Sequence, residues 1–217
     1  LPFWHACLSS LGFEVVVSEP STRDTYLKGQ STISSDTICY PAKLMHGHVQ
    51  QLIETGVDAI LYPCSSYNLK EEKGDNHFNC PVVAYYPEVL KHNMPSLLEH
   101  KVLFISDYIS LADERFAPSR LYEILSKHYN LGKGEVKLAC KRGYEALRTY
   151  QQAVRNQATI IVEEARKRAW PIMVLAGRPY HVDGEVNHGI DSLLLQCGCA
   201  VLSEDGISHL VPKEKRT

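Results

Sequence analysis

Ser35-Asp36-Thr37-Ile38-Cys39-Tyr40-Pro41-Ala42-Lys43-Leu44-Met45-His46-Gly47-His48 reads as an extended segment running into a helix. Asp36 or Thr37 is placed to cap the first turn. Pro41 suits the first helical position, where its missing donor costs nothing. Leu44, His48 and Leu52, with Met45, Val49 and Ile53, repeat at helical spacing as far as Gly56. Cys39 therefore stands at a helix N-terminus, where the helix dipole favours negative charge, and the thiolate is the form in which cysteine binds metal. His46 and His48 lie about 200° apart around this helix, so they do not face one metal together. His48 shares the apolar face with Leu44 and Leu52.

Outward from this helix, strand and helix patterns alternate. Pro2 to Leu11 reads as a short helix stopped by Gly12, and Phe13–Ser18 as a strand. Val57–Cys64, Cys80–Tyr86 and Lys101–Ile109 read as further strands, with a polar loop over 65–79 that contains Asn68, Gly74, Asp75, Asn76 and Asn79. The alternation predicts a parallel, doubly wound α/β sheet. A helix begins near Pro118, and a longer one is expected from about Glu135 to Ala169, a connector between two lobes. Pro171–Gly177 is a fresh strand, Ile190–Gln196 a helix and Ala200–Ser203 a strand. The expected organisation is a flavodoxin-like first lobe over 1–115, a helical connector over 116–170, and the start of a second α/β lobe over 171–217. The chain opens on Leu and lacks the strand that would precede Pro2, so it reads as a piece of a longer protein.

The 217 residues include 44% hydrophobic and 22% charged positions, and the net charge is −2. That composition belongs to a globular protein with a real core. Basic residues are scattered, which excludes a nucleic-acid footprint, and no apolar run reaches the roughly 20 residues of a membrane span. No signal peptide is visible. Seven cysteines, an odd number with no Cys-x-x-Cys pair, point to a reducing, cytoplasmic compartment and to free or metal-bound thiols.

In open parallel sheets, ligands bind outside the carboxyl ends of the strands. Cys39 precedes a helix and Cys64 ends a strand at that edge. Cys80, beginning the next predicted strand, can fold back to join them. Three thiolates from separate loops suit an iron–sulfur cluster with one iron left open, and fit no zinc-finger spacing. Zinc in the same thiolates is a further reading. Arg178, Tyr180, His181, Asn187 and His188 occupy a strand-to-helix loop suited to a phosphate, carboxylate or thioester, or to a polar interdomain role. Cys7 and Cys140 fall on helices and read as structural. Cys197 and Cys199 flank Gly198 at a helix end.

Pro2-Phe3-Trp4, Leu11-Gly12-Phe13-Glu14-Val15-Val16, Cys39–His48, Asn79-Cys80-Pro81-Val82-Val83, Gly177–His181 and Asn187-His188-Gly189-Ile190 together resemble one family. It is the dehydratase-like domain of CoA-substrate-specific enzyme activases, or 2-hydroxyacyl-CoA dehydratase activase-related proteins. The resemblance implies flavodoxin-like lobes and a 4Fe–4S cluster held by three cysteines. It also implies an ATP-driven activase, in the same or a partner chain, that supplies an electron for radical dehydration or reduction of an acyl-CoA-type substrate. Cys39 and Cys64 match the first two ligand positions. The third falls near Ser203-Glu204-Asp205-Gly206, which has no cysteine; Cys80 takes its place as cofactor and metal ligand. His46, His48, Arg178 and His181 are the candidate catalytic residues: a histidine to orient a thiolate or move a proton, Arg178 and His181 to close the cleft. The alternative is a non-enzymatic docking domain of a large activase, with cysteines that are merely structural.

Overall fold

The computed structural model describes residues 1–69 and 76–210. Gly74 and Asp75 of the expected polar loop lie outside the described residues. The chain divides into two compact units, Leu1–Glu145 and Ala146–Thr217. The boundaries drawn from sequence at 115 and 170 fall inside these units.

The first unit begins with α1 (Pro2–Ser10), which ends at Leu11, ahead of Gly12 with φ +88°. Phe13–Ser18 is not a strand. It forms no ladder, Val16 and Val17 are nearly half exposed, and the segment is anchored by the edge of Phe13 against Tyr129 at 4.9 Å. A β-branched run has strand character only where a neighbouring strand pairs with it, and none does here.

Helix α2 (Arg23–Gly29) starts in a Thr22/Thr25 capping box. Helix α3 (Tyr40–Glu54) begins one residue before the expected proline. Its N-cap is Cys39, and neither Asp36 nor Thr37 caps it; the Thr37 hydroxyl pairs with Ser35 instead. The buried face of α3 carries Ala42, Leu44, His46, Gly47, Val49 and Ile53, so His46 rather than His48 points inward.

Strand β1 (Ala59–Leu61) leads to Cys64. Next come α4 (Pro81–Asn93), α5 (Ser96–Glu99) and β2 (Leu103–Ile105). β1 and β2 pair in parallel with Ile60 opposite Phe104, and the pairing resumes at a bridge between Cys64 and Tyr108. The expected strand over Cys80–Tyr86 is therefore the first half of α4. Pro81 sits at the helix start, where proline is favoured. Ala84, Pro87 and Leu90 are buried at helical spacing, with Tyr86 beside them. The Val82-Val83 pair suggests a strand locally, but the periodic burial that follows it overrides that preference. Ile53, Ile60, Leu90, Met94 and Phe104 join α3, α4, β1 and β2 in one apolar core.

Helices α6 (Ala117–Leu125) and α7 (Lys133–Lys167) follow. The first turns of α7 receive α1: Phe3 meets Tyr144 edge-on at 4.7 Å, and the sulfurs of the buried Cys7 and Cys140 lie 4.0 Å apart. In the second unit, β3 (Ile172–Leu175) pairs in parallel with β4 (Ala200–Ser203), around α8 (Ile190–Gln196) and followed by α9 (Glu204–Ile207). The α/β character with parallel pairing is as expected, with two strands in each sheet among the described residues. No described helix is long and apolar enough to cross a membrane.

Helices α2 and α3 pack backbone against backbone at two glycines. A methyl group on Gly29 would strike the backbone of His46 and Gly47, and one on Gly47 would land on the carbonyl of Thr25. In an open helix interior, Gly→Ala stabilises by about 1 kcal/mol. At Gly47 the sign is reversed: Gly47→Ala destabilises by about 3 kcal/mol as α2 is pushed away. Urea denaturation checks this, and a variant as stable as the wild type would contradict the close packing.

Candidate functional site

Two helices of the first unit begin at cysteines. Cys39 has an extended backbone, with φ −63° and ψ 150°, and its carbonyl accepts the amides of Ala42 and Lys43 at 3.1 and 3.2 Å. Cys80 has φ −52° and ψ 140°, and its carbonyl accepts the amide of Ala84 at 3.0 Å. Neither side chain caps its helix, so both thiols remain available at helix ends that favour negative charge. Cys39 is exposed and Cys80 half-buried. Their chain neighbours Ile38 and Pro81 line one open pocket of about 320 Å³, walled by Val82, Tyr85, Tyr86 and Val89.

Cys64 is held differently. Its amide donates to Asp107 at 3.2 Å, and its carbonyl accepts from Ile109 at 3.0 Å, so the backbone is locked at the carboxyl end of the sheet. Its buried thiol is pushed up by burial and by the Glu88 carboxylate, against hydrogen bonds from the Glu88 backbone and the Tyr108 hydroxyl. Glu88 is itself fixed by Ser106, whose hydroxyl donates to it at 2.5 Å. Two tyrosines of this unit are shifted as well. Tyr86 is pushed up by burial and by Cys39; Tyr62 is pushed up by burial, then by Tyr86 and Cys64.

Behind Tyr86 lies a directed polar chain. The Thr32 hydroxyl donates to the Gly29 carbonyl at 2.9 Å and lies 2.8 Å from His46 Nδ1. Its one proton is thus committed, so His46 Nδ1–H donates to Thr32. That leaves Nε2 as the acceptor for the Tyr86 hydroxyl at 2.9 Å. Burial pulls the imidazole down to about 4, so His46 is neutral at physiological pH. Tyr62, Tyr86, Tyr108 and Thr32 escaped the sequence reading; reading 80–86 as a strand hid Tyr86, which becomes visible once α4 is recognised by its helical period.

His48 lies on the other side of α3, with Nε2 3.0 Å from the Ser21 hydroxyl. Arg178 and His181 belong to the second unit. There the Arg178 amide donates to His181 Nδ1 at 2.9 Å, which folds the imidazole back over its own loop and against Gly177. Cys197 is exposed and Cys199 half-buried. Among the described residues, no three or more His, Cys, Asp or Glu side chains come together as a group able to hold a metal ion.

His46 also makes stability depend on pH. The unfolded chain takes up a proton near the ordinary 6.5 and the folded chain only near 4. Between those values the unfolded state binds more protons, so stability is full above about 6.5 and falls by up to about 3 kcal/mol as pH drops toward 4. His46→Gln should flatten this slope in urea titrations run from pH 7 to 4; an unchanged slope would contradict a buried neutral imidazole.

Comparison with known proteins identifies a family. No curated protein and no solved structure matches the chain. The family model for the CoA enzyme activase uncharacterised domain matches residues 1–207, nearly the whole chain. The chain therefore belongs to the family of the CoA enzyme activase uncharacterised domain.

Proposed function

We propose that this domain carries a 4Fe–4S cluster on Cys39, Cys64 and Cys80 and serves electron relay, or radical reduction or dehydration, of an acyl-CoA-type substrate. ATP-dependent activase modules of the same or a partner chain are the proposed electron source. The observation that supports the reading is that helices α3 and α4 each have a cysteine at the N-cap position, and that Ile38, before Cys39, and Pro81, after Cys80, border one apolar pocket. When bound, the cluster supplies one-electron chemistry and an iron without a thiolate ligand.

The chain's own residues do the rest. Ile38, Pro81, Val82 and Val89 give the open pocket an apolar wall. Tyr108 and the Glu88 backbone hydrogen-bond the Cys64 sulfur, the kind of contact that tunes a ligating thiolate. Cys64 must give up its proton to ligate, so loading releases protons and is favoured at higher pH. His46 holds the Tyr86 hydroxyl in one orientation.

The buried thiol of Cys64 supports a second reading, a docking domain of a large activase in which the cysteines are structural. Anaerobic reconstitution with ferrous iron and sulfide separates the two. The cluster reading expects about four irons and four sulfides per chain, lost in each of Cys39→Ala, Cys64→Ala and Cys80→Ala and kept in Cys197→Ala. Full iron retention in the triple variant, or no stable iron in the wild type, would leave the docking reading.

A further inference from the structure

A second and larger cavity of the first unit, about 670 Å³, lies between the start of α6 and the first three turns of α7. Its volume is within the range of small-molecule sites, about 300–1,000 Å³. Lys133, Lys137 and Lys141 line it together with Arg115, against one carboxylate, Glu114. The lysines are four residues apart, which sets all three on one face of α7.

Their placement works against the helix. Cations at a helix N-terminus oppose its dipole, and like charges four residues apart repel. The chain as a whole carries a net charge of −2, so this cationic concentration is local. Neighbouring acids neutralise only part of it. Arg115 is engaged by Asp113 at 2.8 Å, and Lys141 reaches Glu145 only at 4.0 Å. Lys133 and Lys137 have no ion-pair partner among the described residues. Glu135, the acid of the first turn, is turned back to accept the Gly132 amide at 2.7 Å. Leu138 and Pro118 give the cavity an apolar wall.

From this geometry we infer that the α6–α7 cavity is a binding site for a small oligophosphate anion. Lys133 and Lys137 provide the principal contacts, Arg115 and Lys141 the surrounding positive field, and Ser119 a hydroxyl that can donate to a phosphate oxygen. An occupying anion relieves the repulsion along α7, so ligand binding and helix stability are coupled. The site is independent of the three cysteines proposed to hold the cluster, and it is tested on protein free of metal.

The test is isothermal titration calorimetry of the wild-type chain with pyrophosphate, ADP and orthophosphate at low ionic strength. Saturable binding of pyrophosphate and ADP is expected, each at least tenfold tighter than orthophosphate and weakened by added salt. ADP tighter than pyrophosphate assigns Leu138 and Pro118 to the organic part of a nucleotide; equal affinities assign the site to inorganic oligophosphate. Lys133→Gln/Lys137→Gln should bind at least tenfold more weakly while melting no lower than the wild type, because a repulsion has been removed. Lys137→Glu, which pairs the charges on α7, should behave in the same way. Absence of saturable binding, or binding that survives in both variants, would overturn the assignment.

Discussion

Everything in the first unit depends on how closely α2 can lie on α3. Two glycines, Gly29 and Gly47, permit that approach by presenting bare backbone where the helices meet. With α2 in place, Thr25 is sealed, and the turn after α2, Gln30–Thr32, brings the Thr32 hydroxyl onto His46. An imidazole buried in an apolar core costs free energy unless both nitrogens are bonded. Here both are, one to Thr32 and one to Tyr86. The glycine contact thus fixes the histidine, and the histidine fixes the Tyr86 hydroxyl.

The sheet supplies the second constraint. Parallel pairing of β1 with β2 brings Cys64 and Tyr108 together past the end of the ladder, at the edge where open parallel sheets bind their ligands. Helices α3 and α4 start with cysteines that leave their own caps unmade. A Ser, Thr or Asp at either position would cap its helix better.

Much of this was legible in the sequence where patterns were long or punctuated. Helix α3, with its proline start and glycine stop, emerged within a residue at each end, as did α8 and the strand after it. The failures came where local preference and tertiary context disagree. Val15-Val16-Val17 has strand chemistry but no partner strand. Val82-Val83 has it too, yet burial of Ala84, Pro87 and Leu90 makes the segment a helix, and Pro87 sits inside that helix instead of ending a strand. His46 and His48 are two residues apart on opposite faces of α3. Periodicity alone put the wrong one inside, because it could not reveal that Thr32 and Tyr86 would satisfy His46. The cysteines were legible as positions in the chain, but their surroundings were not, because Tyr62, Tyr86 and Tyr108 reach them only through folding.

The central claim is that Cys39, Cys64 and Cys80 share one inorganic cofactor at the carboxyl edge of the β1–β2 sheet. X-ray absorption at the iron edge, on protein purified and handled anaerobically, tests it most directly. The account predicts a first shell of sulfur and a second shell of iron around each iron. Iron surrounded only by oxygen and nitrogen, with no iron neighbour, would contradict it.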